Sequence, residues 1–90
     1  MSPENFHITK HAIDRFRQRY KALCGHPAPF HVVRLLRSML RSSRLKRVDV
    51  TEKKRGAAFF SNAGFEFVVV NGHVVTITID LNKYRHLNAA

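Results

Sequence analysis

The chain predicts an α+β domain: two N-terminal helices packed on a three- to four-stranded antiparallel sheet. Three observations predict it. Apolar residues recur at helical spacing in the first 42 residues. The second half turns to short runs rich in Phe, Val, Ile and Thr. Two of those runs flank Asn71-Gly72, the strongest short hairpin signal.

The first helix is expected to start at Thr9, a good N-cap, and to run from Lys10 to Leu23. At about 100° per residue, Ala12, Ile13, Phe16, Tyr20 and Leu23 share one arc, and His11, Arg15, Gln18 and Arg19 another. Gly25 and Pro27 stop it. The second helix is expected from about Phe30 to Ser42, with Pro29 in its first turn. Val32, Val33, Leu35, Leu36, Met39 and Leu40 are its core side, and Arg34, Arg37 and Arg41 lie opposite.

Arg47 to Val50 reads as a short strand and Thr51 to Gly56 as a charged turn. Ala57 to Ser61 is the next strand, with a turn at Asn62-Ala63-Gly64. Phe65 to Val70 and His73 to Leu81 form the closing hairpin, and Asn82 to Ala90 a frayed tail. A two-residue turn without a bulge pairs Val70 with His73, Val68 with Val75 and Glu66 with Ile77. That side, joined by Ile79, is the one expected against the helices. Phe65, Phe67, Val69, Val74, Thr76, Thr78 and Asp80 would then line an open binding face. A bulge would exchange the two sides.

Ninety residues suffice for one domain, here residues 1–90 with a core over about 6–81. Sixteen Lys+Arg against six Asp+Glu leave a net charge of +10, while 44% hydrophobic residues are too many for a disordered basic tail. Such a surplus exceeds what solubility needs and points to a polyanionic partner, RNA or another nucleic acid. One cysteine, Cys24, excludes an internal disulfide. No apolar run is long enough to span a membrane and no signal-peptide pattern opens the chain, so a cytoplasmic protein is expected. Six histidines are scattered without zinc-type spacing, so no metal or other cofactor is expected.

The segment Ile8-Thr9-Lys10-His11-Ala12-Ile13-Asp14-Arg15-Phe16-Arg17-Gln18-Arg19 carries the chemistry. His11, Arg15 and Arg19 drift only about 40° per step and make one stripe. An imidazole exchanges protons near neutrality, and guanidiniums hold a phosphodiester and neutralise its transition state. That is the minimum for metal-free RNA cleavage, in which the 2′-OH attacks. A solvated basic helix face is the plain alternative. Arg34, Arg37 and Arg41 extend the basic surface, and Phe59, Phe60, Phe65 and Phe67 are either base-stacking or core residues.

The run "ITKHAIDRFRQR", with the closing "FEFVVVNGHVVTITID", resembles small bacterial and phage domains related to the barnase–EndoU–colicin–RelE group of ribonuclease toxins. The resemblance covers about residues 6–81. It implies helix, helix, then antiparallel strands, and a catalytic set of His11, Arg15 and Thr76, with Thr78 as second choice. Arg19, Gln18, Lys54 and Arg55 would bind the nucleic acid with the arginines of the second helix. A threonine hydroxyl bonds a phosphate oxygen but is no general base. The resemblance also implies an acidic antitoxin or immunity protein as partner. Alternatives are a non-catalytic nucleic-acid binder, including a phage-encoded regulator of a host nucleoprotein, and an adaptor for an acidic protein.

Overall fold

The computed structural model describes residues 2–49 and 56–79. After a 3-10 turn at Pro3–Asn5 the chain runs β1 (His7–Ile8), α1 (Lys10–Cys24), α2 (Val32–Arg41), β2 (Arg44–Asp49), β3 (Ala57–Asn62), β4 (Phe65–Val70) and β5 (His73–Ile79). The strands form one sheet in the order β1-β5-β4-β3-β2. The fold is α+β, but the sheet has five strands and is mixed, because β1 pairs with β5 in parallel, His7 opposite His73 and Ile8 opposite Val74. Two residues are too few to show a periodicity, so only tertiary pairing reveals this strand. The expected tail 82–90, Asp80, and the turn holding Lys54 and Arg55 lie outside the described residues.

Local chemistry explains the α1 boundaries. The Thr9 hydroxyl accepts from the Ala12 amide at 3.1 Å and donates to the Val74 carbonyl at 2.8 Å, so one side chain caps α1 and ties it to β5. Gly25 closes the helix with φ 80°, its N–H donating to the Lys21 carbonyl at 2.9 Å. α2 starts two residues later than expected, after His31, whose side chain makes no cap.

The helices cover one face of the sheet. Ala12 and Phe16 of α1 and Val32, Leu36 and Leu40 of α2 pack with Phe65, Phe67, Val69, Val74 and Ile77 in a single core. Phe16 and Phe67 are wholly buried; a fully buried large apolar side chain contributes about 1.5–3 kcal/mol by burial. Val33, expected inside, is 41% exposed: it falls on the rim of the apolar arc.

The hairpin departs from the bulge-free reading only in part: Phe65, Phe67, Val69 and Val74 change to the helix side, while Ile77 keeps that side and Thr76 and Thr78 keep the open one. Val68 pairs with Thr76 and Val69 with Val74, leaving Val75 as the extra residue of a bulge. Across the bulge Val74 and Ile77 are both buried on the helix side, and Thr76 and Thr78 stay on the open one. Phe65, Phe67 and Val69 therefore face the helices and are buried. Glu66, Val68 and Val70, with their partners Thr78, Thr76 and His73, look away from them. Both two-residue turns have positive φ at both positions, Asn71 (51°) with Gly72 (75°) and Ala63 (53°) with Gly64 (89°), matching the twist of the flanking strands.

A candidate nucleic-acid interface on the first helix

α1 carries five basic residues and one carboxylate, Asp14. Its buried stripe, centred on Ala12 and Phe16, turns the remaining side chains outward. His11, Gln18, Arg17 and Lys21 are exposed, and Arg15 and Arg19 are half-buried along the flank. The i, i+4 spacing of His11, Arg15 and Arg19 places each about 6 Å further along the axis.

Arg15 joins this surface into one array. Its Nη1 donates to Oε1 of Gln18 at 3.1 Å, and its Nε makes a long contact, 3.5 Å, with Nε2 of His11. An acceptor at Nε2 requires the imidazole tautomer protonated at Nδ1. The guanidinium thus lies between an imidazole ring and a side-chain amide. Few hydrogen bonds must be broken to bring a phosphate oxygen onto its fork.

The hydroxyl-bearing strand is placed elsewhere. Thr76 and Thr78 lie on the sheet face that looks away from α1, so they do not share a face with His11 and Arg15. Both threonines keep the open side expected of them; the separation arises because α1 and α2 cover the opposite face of the sheet. The trio of His11, Arg15 and Thr76 is therefore not assembled on one surface.

The second helix divides its arginines. Arg34 and Arg41 are exposed. Arg37 is not a free cation: its Nη1 donates to the carbonyls of Glu4 at 2.8 Å and Phe6 at 3.0 Å. Through that one nitrogen it ties the N-terminal turn to α2, a role that the sequence did not assign to it. Nothing in the helical spacing separates it from Arg34 and Arg41, because the carbonyls it meets lie more than thirty residues away in the chain. The aromatics divide as well: Phe65 and Phe67 are core, and Phe60 packs against it, its ring 5.5 Å from that of Phe6.

Two features escaped sequence reasoning. His7 and His73, neighbours across β1 and β5, bring their rings within 5.2 Å edge to face. Lys46 reaches Glu66 across β2, β3 and β4, Nζ to Oε2 at 3.0 Å. Both follow from strand register: β1 is too short to display its own, and Lys46 sits at the register shift of β2 against β3. Among the described residues no three His, Cys, Asp or Glu side chains group to hold a metal ion, and no helix is long and apolar enough to cross a membrane.

No protein-family model, curated protein sequence or solved structure matches the chain.

Proposed function

We propose that this protein binds RNA by its phosphate backbone, with the outer face of α1 as the principal contact. The observation that carries the reading is the linked array of His11, Arg15 and Gln18 on an exposed helix face of a +10 chain. Arg19 continues it along the flank, and Arg34 and Arg41 add exposed positive charge from α2. Phosphate contacts of this type act through counterion release, so affinity falls steeply with salt. The order of helix, helix and strands, and the His-Ala-x-x-Arg start of α1, keep the resemblance to the barnase–EndoU–colicin–RelE group in support.

A second reading, metal-independent cleavage of RNA, is favoured by the placement of Arg15 beside the His11 ring. His11 would take the proton of the 2′-OH at Nε2 as the 2′-oxygen attacks phosphorus. Arg15 would hold the charged phosphorane, and the 5′-oxygen would leave with a proton from water, giving a 2′,3′-cyclic phosphate and a 5′-OH. Thr76 takes no part in this version. An acidic antitoxin would be the partner of such an enzyme.

One experiment separates the two. Wild type and His11→Ala are titrated against labelled RNA at several salt concentrations, in EDTA, and the RNA is then analysed for cleavage and end groups. Salt-dependent binding with intact RNA supports the binder. Cyclic phosphate ends lost in His11→Ala support the enzyme. Absence of salt-dependent binding in the wild type refutes both and leaves an adaptor for an acidic protein.

A further inference from the structure

Phe30 is 94% exposed, an unusual position for a phenylalanine in so small a protein. It stands at the end of the segment joining α1 to α2 and forms one wall of an open groove with Pro27 and Pro29. The other wall is the outer face of α1, with Arg17, Gln18 and Lys21. The groove measures about 520 Å³, within the range of about 300–1,000 Å³ in which small planar ligands are held.

The groove is built rather than incidental. Ala28 packs against the core and anchors the middle of the segment. The His26 ring sits edge-on to Tyr20 at 5.5 Å, and its Nδ1 lies 3.2 Å from the Pro27 carbonyl oxygen. The Phe30 ring meets His31 edge to face at 5.4 Å. Pro27 and Pro29 restrict the backbone that leads into Phe30. The aromatic side chain thus stands at the surface at the end of a backbone segment of restricted freedom.

Its surroundings select the ligand. Arg17 and Lys21, one helical turn apart, are exposed cations that suit an anion, and Asp14 is the sole carboxylate on α1. Gln18 belongs both to the groove and to the Arg15 array, so groove and stripe are one continuous surface. A π-face, an amide with donor and acceptor, and cations on either side form the recognition chemistry of an unstacked nucleotide.

We propose that this groove holds one unstacked base of a single-stranded nucleic acid, stacked on Phe30 and hydrogen-bonded by Gln18, with Arg17 and Lys21 on the flanking phosphates. The inference rests on the reading of α1 as a nucleic-acid interface and adds strand selectivity to it. Duplex ligands, whose bases are already paired and stacked, use only the stripe.

The test titrates the full chain with a short oligouridylate carrying one 2-aminopurine, and separately with an RNA duplex. Phe30→Ala and Phe30→Leu are compared with wild type, and their circular dichroism melts check that both fold. Binding of the single strand by wild type is expected to quench the 2-aminopurine. Phe30→Ala is expected to lose about 5- to 150-fold in single-strand affinity, the usual range for one stacked base, while duplex affinity stays unchanged. Phe30→Leu, which keeps an apolar side chain without a π-face, is expected to abolish the quench as well. Unchanged single-strand affinity and quench in Phe30→Ala overturn the groove proposal and leave the α1 interface standing. No binding of either nucleic acid by wild type overturns the underlying reading. A glutamate–leucine copolymer bound in a Phe30-dependent way, with the oligonucleotide unaffected by the substitution, overturns it in favour of an acidic protein partner.

Discussion

Arg37→Met separates an arginine bonded to backbone carbonyls from its exposed neighbours Arg34 and Arg41. Methionine keeps the helix propensity and most of the apolar stem while deleting the guanidinium. The substitution removes two hydrogen bonds from one charged nitrogen, to the Glu4 carbonyl at 2.8 Å and the Phe6 carbonyl at 3.0 Å. A hydrogen bond to a charged group is worth about 1.5–3 kcal/mol; because both share one donor at a half-exposed site, a total of about 2–3 kcal/mol is expected. For a domain of this size, roughly 5–13 kcal/mol stable, that is a large fraction. At about 4–8 °C per kcal/mol, the melting temperature should fall by roughly 8–24 °C. Thermal circular dichroism reads this directly, and amide exchange at Phe6 and His7 should quicken as the N-terminal turn detaches. Below both melting transitions, the salt dependence of RNA binding should not change. A melting temperature within about 2 °C of wild type would refute the clamp, since the substitution would then have cost less than about 0.5 kcal/mol. A salt slope reduced by about one phosphate in the folded variant would instead return Arg37 to the interface.

Other substitutions test the remaining links. Arg15→Ala should leave stability within about 0.5 kcal/mol, yet lower the slope of log K against log salt by about 0.7–0.9 for each phosphate that Arg15 neutralises; an unchanged slope contradicts the α1 interface. Thr9→Ala removes a helix cap and the bond to the Val74 carbonyl, and should cost roughly 2 kcal/mol in urea unfolding at unchanged m-value; a cost under about 0.5 kcal/mol would mean neither bond matters. The turn between β3 and β4 predicts opposite signs at adjacent positions. Ala63→Gly should stabilise by about 0.5–1 kcal/mol, because Ala63 sits at φ 53°. Gly64→Ala should destabilise by about 1–2 kcal/mol, since Gly64 is at φ 89°, although its new Cβ would meet Leu23 Cδ2 at an ordinary contact distance of 3.4 Å. Equal signs in a melting comparison would refute the positive-φ assignment.

Local signals were the ones legible in the sequence. The cap at Thr9, the stop at Gly25, the apolar arc of α1 and the Asn71-Gly72 hairpin each depend on residues a few positions apart, and each stands in the fold at that place. The His11, Arg15, Gln18 cluster is legible for the same reason: helical spacing alone brings those side chains together.

Interactions across the chain were decided by tertiary structure alone. The two-residue strand His7–Ile8 exists because β5 offers it an edge, not because of any pattern of its own. One extra residue at Val75 brings Val74 and Ile77 to the same side of β5, and so buries Phe65, Phe67, Val69 and Val74 where an open face was expected. Arg37 differs from Arg34 and Arg41 only through the backbone carbonyls folded against it. Phe30 reads in the sequence as the start of a helix, and only packing leaves it in solvent beside Arg17 and Lys21. The composition and helical spacing of this chain specify a basic helix with a buried stripe. Which of its cations and rings remain available to a ligand is settled by long-range packing, because burial and pairing depend on partners far away in the chain.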